Sequence, residues 1–198
     1  SLKFLSNLGF NTDDTLLNEV DFYVSHEALL LPYEEALTRI DTTTGNWYCT
    51  SAHFLWVGER TRSLDGAHVE FLRGIGNPIG IKIGPSIDFD DIPRLHRKLN
   101  PSNIHGKITL ITRFGADKIS EILPNIIKSV QDNGLNVVWC CDPMHGNTIK
   151  AKNYKTRVFD NILKEISLFW EICQKFNVHP GGVHLELTRS SVTECIGG

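Results

Sequence analysis

The sequence predicts an α/β protein, a (β/α)8 TIM barrel with about six of its eight strands present in these 198 residues. Three observations carry that expectation. Six short apolar runs recur along the chain, stretches of helical period lie between several of them, and most runs end in polar signatures that packing alone would not place there. Strands alternating with helices indicate right-handed crossovers and a parallel sheet. Closure is favoured over an open sheet because GERT, K-x-GP, TRFG, CDPMHG and ELT follow successive strands. At the rim of a closed barrel such residues converge from every direction, whereas in an open sheet only the strands flanking the crevice contribute.

Taken in order, the strand candidates are FYVSHEALLL from Phe22, AHFLWVGERT from Ala52, IGIKIGP from Ile79, ITLITRFG from Ile108, NVVWCCDPMHG from Asn136 and GGVHLELT from Gly181. After the fourth, Ile119, Ile122, Leu123, Ile126, Ile127 and Val130 recur at helical spacing. Proline in a helix interior costs about 3 kcal/mol, so Pro124 predicts a kink or break near Leu123. A second helix is expected over residues 155–176, lining up Phe159, Ile162, Leu163, Ile166, Phe169, Trp170 and Cys173, and NVHPGG stops it. The helix DIPRLHRKLN is read as a solvated face, residues 40–51 as an exposed polar excursion, and NPIG as a turn feeding a strand. A complete barrel needs eight strands, and the two not counted are expected ahead of the first. Residues 1–198 then form a single partial barrel domain, without internal repeat or interdomain linker.

With 41% hydrophobic residues the chain can bury one sizeable core. Twenty basic against twenty-three acidic side chains give a net charge of -3, which offers no global attraction to nucleic acid or to an acidic membrane. Five cysteines, without the spacing of a disulfide-dense module, fit the reducing cytoplasm. No run approaches the roughly 20 apolar residues of a membrane-spanning helix, and the opening residues lack the layout of a signal peptide.

Arg60, Lys82 and Arg113 stand at the ends of three consecutive strands, and the last two interrupt apolar runs. A charge placed there costs several kcal/mol unless a counter-charge meets it. A salt bridge to Glu59, Glu186 or Asp142 would explain each cation singly. Three cations at one end of adjacent strands favour an anionic ligand such as a phosphate or carboxylate. His145, after CDPM, and Glu186, in VHLELT, could meet as ligands of a divalent transition metal, with Asp142, Cys140, Cys141 or His184 as further candidates. Cys140 and Cys141 alternate faces of a strand, which disfavours a shared metal or a mutual disulfide. Asp65, Gly66 and His68 read as helix entry and packing, His179 as part of a turn, and the basic run KNYKTR, with Lys152, Lys155 and Arg157, as solvated charge or closure over a second phosphate.

The segments SHEALLLPYE, WVGERTRSLDGAHVEF, NPIGIKIGPS, LITRFGADKI, WCCDPMHGNT, KTRVFD and HPGGVHLELTRSSVTECIGG resemble the class II (plant-type) 3-deoxy-D-arabino-heptulosonate 7-phosphate (DAHP) synthases, in order from about Tyr23 to Gly198. That resemblance implies a (β/α)8 barrel that condenses phosphoenolpyruvate with erythrose 4-phosphate and releases phosphate. This is the first step of the shikimate pathway to chorismate and the aromatic amino acids. It further implies a divalent metal such as Mn2+ or Co2+, a homo-oligomer in the complete enzyme, and a cytoplasmic location, or a plastid in a plant. By the same resemblance, Glu59, Arg60, Lys82 and Arg113 match phosphoenolpyruvate-binding positions, Trp56 walls the pocket, and Lys82 and Glu59 are the catalytic candidates. His145 and Glu186 match two metal ligands, and Lys155, Thr156 and Arg157 are candidates for the aldose phosphate. The family's GGDCAE-like and CDPRLN-like segments, which supply its other metal ligands, and its basic KPR-type segment have no counterpart here. The expected chain is therefore a fragment, and the competing function is an inert truncated homologue that binds a partner or metabolite.

Overall fold

A computed structural model describes residues 21–151, 154–187 and 195–197. Six parallel strands form its main sheet: β1 (Ser25–Glu27), β4 (Phe54–Val57), β5 (Ile79–Ile83), β6 (Ile108–Thr112), β7 (Val138–Cys141) and β10 (Pro180–Val183). They lie side by side in that same order. A doubly wound sheet reverses direction at a switch point; this one does not, so every crossover steps the same way. Between the strands run α1 (Leu31–Ala36), α2 (Ala67–Arg73), α3 (Asp91–Leu99), α4 (Ile119–Asp132) and α5 (Phe159–Lys175), and α2 to α5 pack as successive neighbours. This is the arrangement of a partial (β/α)8 barrel.

Strand alternation sorts the side chains. Leu55, Val57, Ile79, Ile81, Ile83, Ile108, Leu110, Trp139 and Cys141 join helix residues in the apolar core. The intervening positions, Trp56, Gly80, Lys82, Ile111 and Cys140, fall on the other face, and cross-strand register sets Trp56 beside Gly80, Lys82 beside Ile111, and Ile111 beside Cys140. All five residues of β5 are buried, as a strand covered on both faces requires.

Several local expectations are corrected. Helix α4 continues through Pro124, so the break admitted near Leu123 does not occur, and it buries Ile119, Leu123, Ile126, Ile127 and Val130. The carbonyl that Pro124 leaves without an N–H belongs to Ser120, which is exposed and so open to water. Helix α3 is not a solvated face: Ile92, Pro93, Leu95, His96 and Leu99 are buried beneath its charged side. Residues 40–51 are not simply an exposed excursion, because β2 (Thr38–Ile40) and β3 (Trp47–Cys49) form an antiparallel hairpin that buries Cys49. The second long helix begins at Phe159 rather than at residue 155. Before it, β8 (Thr148–Ala151) and β9 (Tyr154–Val158) make another hairpin, extended by β11 (Cys195–Ile196). Tyr154, Thr156 and Val158 are strand formers, which outweighs the absence of a helix breaker there. The last strand ends at Val183, although the His184 N–H still reaches the Cys141 carbonyl at 2.7 Å. Residues 1–20, 152–153, 188–194 and 198 lie outside the described residues, Lys152 of the basic run among them.

Leu110, 1% exposed in the central strand β6, tests the core. Leu110→Ala should lower the unfolding free energy of the full-length protein by about 2–5 kcal/mol in a urea titration, the cost of a buried cavity.

Candidate active site at the strand rim

A cavity of about 600 Å³ opens at the C-terminal ends of the strands. Each strand of the main sheet contributes to its wall: Glu27 from β1, Trp56, Glu59 and Arg60 from β4 and its loop, Lys82 from β5, Arg113 after β6, His145 after β7, and His184 and Glu186 after β10. The hairpin β8–β9 adds Thr148, Lys155 and Arg157. All seven sequence-predicted site residues therefore meet in one place. Five cations (Arg60, Lys82, Arg113, Lys155, Arg157) face three carboxylates (Glu27, Glu59, Glu186), so the wall is positive on a chain whose net charge is -3.

Lys82 is 6% exposed. Its ammonium pairs with the carboxylate of Asp142, which is wholly buried, and sits 5.7 Å from the centroid of the Trp56 ring. Asp142 also meets the His145 ring nitrogen Nδ1 at 2.8 Å and accepts the backbone N–H groups of Met144 and His145 at 3.1 and 3.2 Å. Burial alone would raise the Asp142 carboxyl, but the hydrogen bond with His145 and the charge of Lys82 override it and hold it well below the usual carboxylate range. The same hydrogen bond raises the His145 imidazole. With Nδ1 so engaged, Nε2 points at Glu186 and lies 2.9 Å from its carboxylate oxygen Oε1, while Arg157 holds Oε2 at 3.1 Å.

Arg113 pairs with Glu59 and donates to the His145 carbonyl at 2.9 Å. The Glu59 carboxylate lies so close over Gly84 that a Cβ there would collide with it, and Ser86 donates to it at 3.1 Å. Salt bridges and a shared cavity thus hold together, although the sequence had set them as competing explanations of the cations. His184 stands edge-on to Trp56, with ring centroids 5.0 Å apart, and burial followed by the nearby Lys82 charge lowers its pKa.

Glu186 falls beyond the end of β10 rather than within a strand, and is half-exposed. One imidazole and one carboxylate facing each other at 2.9 Å fit a divalent transition ion as part of a donor set. Among the described residues no group of three or more His, Cys, Asp or Glu side chains is placed to hold a metal. Burial pushes the Cys140 thiol up to about 11 and the Cys141 thiol further still. His68 bonds to the Leu29 carbonyl at 3.0 Å, Gly66 precedes α2, and His179 is exposed and no part of the cavity wall. Glu27 escaped the sequence reading because the strand it closes, Ser25–Glu27, is itself polar and offers no apolar run for a charge to interrupt. Glu165 also escaped it, a carboxylate buried behind the rim.

Fold and site together define a partial (β/α)8 barrel with a cationic rim cavity and a facing imidazole–carboxylate pair. The chain matches the class-II DAHP synthetase family over residues 1–198 and belongs to it. It is 48% identical over 199 residues to a phospho-2-dehydro-3-deoxyheptonate aldolase of Streptomyces coelicolor. Identity is 48% to a probable chloroplastic phospho-2-dehydro-3-deoxyheptonate aldolase of Catharanthus roseus and 47% to an aldolase of the same name from Neurospora crassa. Each match covers all of this chain but only 44%, 38% and 44% of the respective relative. No helix among the described residues is long and apolar enough to cross a membrane.

Removing the Asp142 charge leaves Lys82 buried and unpaired, so Asp142→Asn should destabilise the full-length protein by about 3–5 kcal/mol. The Asp142 pKa is lowered on folding, so its contribution is present above its ordinary value of 3.8 and lost as pH falls through the folded value. Denaturant titrations at pH 3 to 7 should accordingly show a shallower acid-side loss of stability in Asp142→Asn than in the parent.

Proposed function

We propose that this chain supplies the phosphoenolpyruvate clamp and part of the metal site of a DAHP synthase, which condenses phosphoenolpyruvate with erythrose 4-phosphate at the entry to aromatic amino acid biosynthesis. The observation that carries this reading is the convergence of Arg60, Lys82 and Arg113 on the same cavity as His145 and Glu186. Membership of the family supports it, as do the names borne by the three relatives.

Phosphoenolpyruvate brings a phosphate and a carboxylate on a rigid three-carbon frame, and two anions need cations on more than one side. Arg60, Lys82 and Arg113 come from three strand ends and can grip both groups, fixing the enol carbon for attack on the aldehyde of the sugar phosphate. Carbon–carbon bond formation leaves positive charge on the adjacent carbon, water adds there, and phosphate departs by carbon–oxygen cleavage. Lys82 or Glu59, both in the cavity wall, would manage the protons of that water, and the flat Trp56 ring would wall the substrate. Held by His145, Glu186 and further donors, a divalent cation such as Mn2+ or Co2+ would supply Lewis-acid polarisation of the aldehyde. Lys155 and Arg157, across the cavity, suit the phosphate of the four-carbon sugar. The reaction belongs in the cytoplasm, or in the plastid of a plant.

Full-length protein incubated with manganese, phosphoenolpyruvate and erythrose 4-phosphate should release phosphate and yield a seven-carbon product by mass spectrometry. Product with a different sugar phosphate alone, or none at all, would overturn the assignment. Lys82→Met should lower kcat by about 100-fold or more, the scale of losing a charge aimed at the reacting centre. Near-normal turnover would remove Lys82 from the site.

A further inference from the structure

Two rim turns are tied together from behind by a side chain outside the cavity. Glu165, on α5, is fully buried, and its Oε1 accepts the backbone N–H groups of Phe114 and Gly115 at 3.0 and 2.9 Å. Its Oε2 accepts the Asn147 side-chain amide at 2.7 Å. Asn147 closes the bridge by accepting the Ala116 N–H at 3.0 Å and donating to the Pro143 carbonyl at 2.8 Å. The turn carrying Arg113 and the turn carrying His145 thus share one acceptor. They also touch directly: Gly115 has φ +85°, and a Cβ there would lie 2.8 Å from the Gly146 carbonyl.

We propose that Glu165 is a positioning residue for the anion clamp, setting the Arg113 turn against the His145 turn so that both side chains reach the same cavity. This rests on the phosphoenolpyruvate reading given above. Three donors aim at Glu165, and only a group that accepts at both oxygens satisfies them all. Burial pushes its carboxyl up to about 7 while the Gly115 and Phe114 amides draw it back, so burying the charge of this group costs the fold more than packing an apolar side chain there would. A core position in an amphipathic helix gains nothing from that charge, whereas two glycine-bearing turns that must hold register do. Glutamine in its place can satisfy the backbone amides or Asn147, but not both.

The test is a double-mutant cycle on phosphoenolpyruvate binding, measured by calorimetric titration of the full-length protein. Glu165→Gln should weaken binding by about tenfold with cooperative unfolding retained, and Arg113→Met by at least as much. Since Glu165 acts through Arg113, the double variant should bind no more weakly than Arg113→Met alone. Asn147→Ser breaks the bridge from the other side, removing the donor to Oε2 while leaving Glu165 itself and its two backbone donors in place. It should reproduce the same pattern, and it carries the cycle if Glu165→Gln does not fold. Losses that multiply, or unchanged binding in Glu165→Gln, would overturn the positioning role while leaving the clamp intact. Unchanged binding in Arg113→Met would overturn the clamp itself, and the role of Glu165 with it.

Discussion

The buried pair of Lys82 and Asp142 governs the rim. An ammonium 6% exposed in the middle of an apolar strand costs several kcal/mol unless a counter-charge lies beside it, and Asp142 is the carboxylate that meets it. Asp142 does not serve Lys82 alone: a carboxylate offers about four acceptor sites, and a buried one is stabilised by each donor that fills them. The backbone of Met144 and His145 and the His145 ring take the rest. One carboxylate therefore fixes a cation on β5, the turn after β7 and the direction of an imidazole. Displacing any of them strands the others without partners.

Sheet order turns that local constraint into a site. Since the strands sit in chain order without reversal, their C-terminal ends share one edge and the residues just past them share one space. Period-two alternation then decides which side chains enter it. Ile79, Ile81 and Ile83 face the helices, and Lys82, between them, faces the cavity. Shifting β5 by one residue would send the ammonium into the helix layer and an isoleucine into the site. The burial that stabilises the sheet and the register that assembles the rim are thus one requirement.

What could be read from the sequence follows from how far each signal reaches along the chain. Charges interrupting apolar runs are local, so Arg60, Lys82 and Arg113 were visible, and their meeting with His145 and Glu186 in one cavity follows from the predicted strand order. Helix α3 was misread because Arg94, Arg97 and Lys98 dominate its composition, although Ile92, Leu95 and Leu99 keep the spacing of a buried stripe. The hairpin before α5 was missed because strand propensity in Tyr154, Thr156 and Val158 competes with a helical pattern that continues straight after them. Glu165 had no local signal at all. A glutamate within an amphipathic helix reads as solvated, and only the folded chain brings the amides of residues 114 and 115 to it.

Ion pairing around the rim does not exhaust its capacity for a ligand. A guanidinium carries five N–H donors, and Arg113 commits them to Glu59 and to the His145 carbonyl only in part. An ammonium carries three, of which Lys82 gives one to Asp142. The carboxylates hold the cations in place while leaving donors aimed into the cavity, so an entering anion meets charges that are already oriented. Free side chains of the same charge would have to be ordered at the moment of binding, at a cost of about 0.5–1.5 kcal/mol each. Salt bridges within the wall and an anion in the cavity are therefore complementary, and the first prepares the second.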